Sequence, residues 1–164
     1  DYIRYMGRPT GETTPAFENP YGNPHGGMDM LPKPVASKLP LLITGGSQQD
    51  PTWIAENGDG WMIYPRSPIL QAQIIRDWQE RIKATGHPAK PVMQPLYVDL
   101  TEDADTRPHP IHLGFRLGTR HLHAHLKALE EVGINHVALN LRFNRADIET
   151  TLKRLADEIL PDFA

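Results

Sequence analysis

From residue 41 onward the sequence repeats one pattern four times: a short apolar run, a turn, then a stretch with helical spacing. Leu41-Leu42-Ile43-Thr44 is the first run, and Gly45-Gly46 stops it. Asp50-Pro51 then supplies an N-cap and a first-turn proline for a short helix through Trp53, Ile54 and Ala55, ended by Gly58. Trp61-Met62-Ile63-Tyr64 is the second run, and Ser67-Pro68 repeats the helix-start signal. The helix that follows carries Leu70, Ile74, Ile75, Trp78 and Ile82 at helical spacing and closes at Gly86. Val92 to Leu100 is the third run, and a long loop over residues 101–118 follows it. Thr119 caps a third helix bearing Leu122, Leu126 and Leu129, which ends at Gly133. Ile134 to Leu141 is the fourth run; Asn144 caps a last helix with Ile148, Leu152, Leu155 and Ile159 on one face, ended by Pro161.

Strands that alternate with helices pair in parallel, and the helices cover the sheet. The runs are apolar nearly throughout, as strands buried on both faces are. The fold class is therefore α/β, built of four β/α units, and the candidates are an open doubly wound sheet or a piece of a (β/α)8 barrel. A G-x-G-x-x-G fingerprint is absent, which disfavours a dinucleotide-binding sheet. Residues 41–164 amount to half of a roughly 250-residue barrel, so length and pattern together indicate a half-barrel.

Residues 1–40 differ in kind. Seven of the chain's 16 prolines fall there, with five glycines over residues 7–27 and no strand or helix period. We read residues 7–40 as a Pro/Gly-rich, loop-like arm, and residues 1–6 as the end of a helix. The domain organisation expected is thus an arm over 1–40 and a half-barrel over 41–164. A net charge of −3 leaves no electrostatic footprint for nucleic acid, and no apolar run is long enough to span a bilayer. The chain has no cysteine, which excludes disulfides and thiol chemistry and fits a reducing cytoplasm.

In parallel α/β folds the ligand site lies at the carboxyl ends of the strands. Four loops fall there: 45–49, 64–67, 101–118 and 140–145. In the first, Gly45 and Gly46 let the backbone approach a ligand, Ser47, Gln48 and Gln49 offer donors, and the next helix begins immediately. That combination reads as a phosphate cradle; its plainer alternative is a βα turn whose glycines relieve crowding. Tyr64 can line the mouth and Arg66 can pair with a phosphate, while Trp61 reads as core. Five of the eight histidines lie between residues 109 and 125. His109 and His112 sit in the third loop, where a general acid or base would be placed. His121 and His125 share a helix face at metal-ligand spacing, but no third ligand accompanies them, so no metal site is expected. Arg107, Arg116 and Arg120 flank the same region.

Six segments carry a resemblance to a known family: Met30-Leu-Pro-Lys-Pro-Val35, Leu39-Pro-Leu-Leu-Ile-Thr-Gly-Gly-Ser-Gln-Gln49, Trp53-Ile-Ala55, Asp59-Gly-Trp-Met-Ile-Tyr-Pro-Arg66, Ile111-His-Leu-Gly-Phe-Arg-Leu-Gly118 and Asn135-His-Val-Ala-Leu-Asn-Leu141. Their order and spacing resemble the bacterial luciferase-like monooxygenases, flavin-dependent oxidoreductases, over residues 28–163. The resemblance implies a (β/α)8 barrel of which this chain holds the C-terminal half. It implies reduced FMN at the carboxyl ends of the strands, often delivered by a separate flavin reductase, with oxygen used to oxidise a small organic substrate. Gly45, Gly46, Ser47, Gln48 and Gln49 would contact the flavin phosphate, and Tyr64 and Arg66 would lie near the flavin. A sister branch uses the deazaflavin F420 for hydride transfer, which is the alternative cofactor. Four strands cut from a closed barrel leave two open edges, so a homo-oligomer or a missing N-terminal half is expected. The remaining alternative is a non-catalytic, flavin-binding or self-associating half-barrel.

Overall fold

The computed structural model describes residues 35, 36, 38–46 and 48–163. The Pro/Gly-rich arm lies almost entirely outside the described residues, as do the helix end at residues 1–6 and Ser47. From Ile43 on the chain forms one compact unit.

The four β/α units are present. Strand β1 (Leu42–Thr44) is followed by α1 (Pro51–Asn57), β2 (Gly60–Met62) by α2 (Pro68–Thr85), β3 (Val92–Leu100) by α3 (Thr119–Glu131), and β6 (His136–Asn140) by α4 (Ile148–Glu158). A one-turn 3-10 helix, Leu160–Asp162, closes the described chain and carries Pro161. Strands β1, β2, β3 and β6 lie side by side in that order, with β2–β3 and β3–β6 parallel.

The loop expected over residues 101–118 is instead largely a hairpin: β4 (His109–Ile111) and β5 (Gly114–Leu117) are antiparallel and joined through His112 and Leu113. Single-residue alternation is hard to see in so short a strand, which is why the sequence read as loop. The hairpin joins the sheet because β5 pairs in parallel with the last part of β3, from Tyr97↔Gly114 to Leu100↔Leu117. β2 and β5 use the same edge of β3 in succession. The Trp61 amide donates to Pro91 O (2.9 Å) and Ile63 to Met93 O (2.9 Å), then the Tyr97 amide donates to Leu113 O (3.1 Å) and Thr101 to Leu117 O (3.0 Å). Gly114 is obligatory at this junction, since a Cβ there would lie 1.8 Å from Tyr97 O. Leu113 is held at φ 51°, in the left-handed region, with its carbonyl fixed by the Tyr97 amide.

Alternation along β3 sorts its side chains into two faces. Val92, Gln94, Leu96, Val98 and Leu100 are buried. Leu96, Val98 and Leu100 pack with Leu117 of β5, Leu122 and Leu126 of α3, and Leu155 and Ile159 from the end of α4. Each such side chain contributes about 1.5–3 kcal/mol on burial. The odd residues Met93, Pro95, Tyr97 and Asp99 point to the opposite, helix-free face. Gln71 of α2 and Gln94 are fully buried; Gln71 Nε2 donates to Tyr64 O (3.0 Å) and to Gln94 Oε1 (2.6 Å).

Caps explain where the helices start. Asp50 caps α1 as expected, its carboxylate accepting from the amides of Thr52 (2.7 Å) and Trp53 (3.0 Å). Ser67 precedes α2 without a side-chain cap bond, so Pro68 alone sets that start. Two expected caps are displaced. Gly118, not Thr119, is the N-cap of α3, and Thr119 is buried inside the first turn. Asp147, not Asn144, caps α4, accepting from the Thr150 amide (2.9 Å). Asn144 instead splices the end of β3 to the start of α4: its Oδ1 accepts from the Leu100 amide (2.9 Å), and its Nδ2 donates to Ala146 O and Thr151 Oγ1 (2.9 Å each). The second strand is also shorter than expected, ending at Met62 rather than Tyr64.

Candidate functional site

The helix-free face of the sheet and the carboxyl ends of its strands meet at one place. Residues paired in register share a face. Asp99 is paired with Arg116, Arg116 with His109, and Tyr97 with Asn140, so Tyr97, Asp99, Arg116, His109 and Asn140 all project on the helix-free side. Phe115, one residue away, goes to the other face and packs on the core. Thr44 of β1, Met62 of β2, Tyr64 just beyond it and Pro95 of β3 line one shallow cleft, which extends the same face toward β1.

Two features stand out at this mouth. The first is an aromatic wall. The Tyr97 ring lies 5.2 Å from Phe143 and 5.9 Å from His112, and His112 lies 6.3 Å edge-on from Phe143. The second is a buried carboxylate. The Asp99 side chain is only 4% exposed, and it faces two guanidinium groups, with Arg145 Nε at 3.3 Å and Arg116 Nε at 3.7 Å. Asp99 Oδ1 also accepts from the Arg145 amide at 3.1 Å, which fixes the turn after β6 against the end of β3.

The first loop has a defined shape. The Gly45 amide donates to Met62 O (2.7 Å), and Gly45 O accepts from the Trp61 indole (2.7 Å). Gly45 has φ 55°, a conformation that glycine adopts at no steric penalty. A tight turn closes from the Gln49 amide to Gly46 O (2.6 Å), with Gln48 held at φ 60°. Left-handed geometry at a non-glycine costs roughly 1–2 kcal/mol. The Tyr64 ring packs beside Gly45 and is 55% exposed. Trp61, read as core, is half-buried on the helix side, its ring 4.9 Å from Trp78.

One element of the expected cradle is altered. Its helix N-terminus is closed by the Asp50 carboxylate, whose pKa the Trp53 and Thr52 amides hold below the usual value, so that end already carries its own anion. What Gly45, Gly46, Gln48 and Gln49 still present is the turn backbone and two amide side chains. Arg66 is exposed and folds back on its own strand end, donating from Nη1 to Tyr64 O (3.3 Å). His109 is exposed on the outer hairpin strand. His112 is the histidine that the structure brings into the aromatic wall. His121 and His125 remain on α3, where burial pushes the His125 pKa down and its ring meets Phe115 edge-on at 5.3 Å. Among the described residues no three His, Cys, Asp or Glu side chains gather as a metal centre would require.

Sequence reasoning passed over Tyr97, Asp99 and Phe143 as site residues. One signal was present: Asp99 is the single charged residue in the run from Val92 to Leu100. A charge near the carboxyl end of a buried strand marks a mouth residue.

No family model matches the chain, and no curated protein matches it. Solved structures do. An F420-dependent secondary alcohol dehydrogenase, in complex with an F420–acetone adduct, superposes with TM-score 0.67 at 14% identity, over 98% of this chain and 58% of its own. The coenzyme F420-dependent tetrahydromethanopterin reductase of Methanopyrus kandleri gives TM-score 0.68 at 12% identity, over 99% and 60%. DmoA from Hyphomicrobium sulfonivorans gives TM-score 0.59 at 14% identity, over 89% and 45%. The chain therefore spans about three-fifths of the first two structures. At these identities the likeness is one of fold: the chain has the architecture of part of a (β/α)8 barrel.

Proposed function

We propose that the chain is part of an oxidoreductase that holds a flavin-type redox ring, FMN or the deazaflavin F420, at the carboxyl ends of its strands. The observation that carries this reading is the aromatic wall of Tyr97, His112 and Phe143, set beside cationic side chains at the ligand end of this fold. A flat ring stacks on aromatic faces, and a phosphate-bearing tail needs amides and cations near it. The residues present fit such a group. Tyr64 and the aromatic wall would flank the ring, the turn from Gly45 to Gln49 would meet the tail through its backbone, and Arg66 would reach it from its exposed position. When bound, the cofactor supplies the hydride or electron chemistry. The chain orients it, excludes water from the wall, and holds a proton on His112 or His109 near the reacting face.

Reduced FMN used with oxygen, as in a monooxygenase, is the reading the sequence resemblance favours; a separate flavin reductase and a small organic substrate go with it. F420-dependent hydride transfer is the second reading, favoured by the two neighbours described as F420-dependent. The experiment is a fluorescence titration of the protein with FMN and with F420, each then displaced by the other. Saturable binding of either supports the proposal, and the tighter one names the cofactor. Oxygen uptake with reduced FMN and substrate would then mark a monooxygenase, whereas no saturable binding of either cofactor overturns the reading. Binding without turnover would favour the non-catalytic half-barrel. Among the described residues no helix is long and apolar enough to cross a membrane.

A further inference from the structure

Asp99 carries one negative charge into a nearly closed position, and two positive charges answer it. Both guanidiniums approach through Nε, at 3.3 Å for Arg145 and 3.7 Å for Arg116. Among the described residues the Nη nitrogens of neither arginine donate a hydrogen bond. The two side chains are 72% and 41% exposed, respectively, while the Asp99 side chain is 4% exposed. An ordinary ion pair would consume one arginine; here a second is left over, and both side chains reach solvent. The neighbouring acids do not neutralise them. Asp105 pairs with Arg120, and Asp103 Oδ1 accepts from the Asp105 amide (2.9 Å). The arginines come from different supports, Arg116 from strand β5 and Arg145 from the turn after β6, and both meet Asp99 on the face of the sheet that also carries Tyr97. Two guanidiniums that share a buried anchor and keep their Nη groups free make a fork for an oxyanion.

We propose that Arg116 and Arg145 form a guanidinium clamp, hinged on the buried Asp99 carboxylate, that binds the anionic group of the molecule occupying the mouth, a phosphate or a carboxylate. This deepens the proposed function and rests on it only for what the anion is attached to. Two sources share the chemistry: the tail of the cofactor, or an acidic substrate lying against the aromatic wall. Asp99 is a positioning residue in either case, because it orients the fork and stays out of reach of the ligand.

The test follows the arginine Nε–H resonances of 15N-labelled protein by NMR at constant ionic strength, so that general screening is held fixed. The probes are inorganic phosphate, acetate, FMN and riboflavin, which lacks the phosphate. The expected result is a saturable shift of the Arg116 and Arg145 resonances with phosphate or acetate, and none at Arg76 on α2. Arg116→Gln and Arg145→Gln should each weaken that binding about tenfold, the loss of one charge-assisted contact. Movement with FMN but not riboflavin would assign the cofactor phosphate as the ligand. If both flavins bind without moving the resonances while phosphate or acetate still does, an acidic substrate is the ligand. No saturable shift with any probe, or an equal shift at Arg76, overturns the clamp. Flavin fluorescence read on the same samples separates the two ideas: lost anion response with intact flavin binding defeats the clamp alone, and the converse defeats the cofactor reading alone.

Discussion

Gly114→Ala isolates the hairpin from the rest of the sheet. The added Cβ would stand 1.8 Å from Tyr97 O, 2.6 Å from its carbonyl carbon and 2.7 Å from its nitrogen, all backbone atoms of the central strand. Neither partner can rotate away. β5 must withdraw by about 1.2 Å or more, which stretches the 3.1 Å bond from the Tyr97 amide to Leu113 O beyond hydrogen-bond range. Losing that bond and its neighbour at Thr101 removes about 1 kcal/mol each. Leu117, 1% exposed, loses part of its roughly 1.5–3 kcal/mol of burial. The expected destabilisation is about 2–4 kcal/mol, read from urea unfolding. Amide exchange gives the finer readout: Tyr97 and Thr101 should lose protection, while Trp61 and Ile63, bonded to the other part of the same edge, should keep theirs. An unchanged urea midpoint with Thr101 still protected would refute the reasoning. So would loss of protection at Trp61, because it would mean the hairpin and the β2 ladder are not separable.

Gln71→Leu should destabilise by about 1–3 kcal/mol, because it strands Gln94 Oε1 in a buried setting. The Gln71→Leu/Gln94→Leu double variant should lose less than the sum of the singles, and strict additivity in urea would argue against the pair. The Asp50 and Asp147 carboxyls are both held below their usual value by backbone amides, so their stabilisation is complete above the unfolded-state value of 3.8 and drains away as pH falls through the folded-state values. Asp50→Asn and Asp147→Asn should flatten that acid limb in a thermal-melt series, and an unaltered limb would count against these caps. His125 should titrate below 6.5 by NMR, since burial disfavours its charged form. Its contribution is then intact above 6.5 and erodes as pH drops through the folded-state value, and a midpoint at or above 6.5 would contradict the packing against Phe115.

The strand–helix order was legible because each unit writes its own local signals: an apolar run, a capping residue and a proline at the helix start. Asp50-Pro51 shows this at full strength. What was not legible came from partners distant in sequence. Asn144 looks like a cap, but the Leu100 amide, 44 residues away, claims its side-chain oxygen and leaves capping to Asp147. The hairpin is hidden for the same reason, since β5 is a strand only because β3 offers it an open edge. At the site, glycines and loop histidines were visible as types, whereas the meeting of Asp99, Arg116 and Arg145 depends on register. That register joins residues 17 and 46 positions apart, and no local pattern encodes it.

The shared edge of β3 also fixes how stiff the mouth is. Arg116 is borne by a strand hydrogen-bonded into the central ladder, so moving its Cα means breaking sheet bonds, an event of local unfolding rather than loop motion. Arg145 rides on a turn tied down by side chains, through Asp99 Oδ1 and the Asn140 and Asn144 amides. A molecule entering between them meets one jaw held by backbone sheet bonds and one held by side-chain hydrogen bonds. Its orientation is therefore dictated by the strand side, and any tightening on binding falls to residues 141–147.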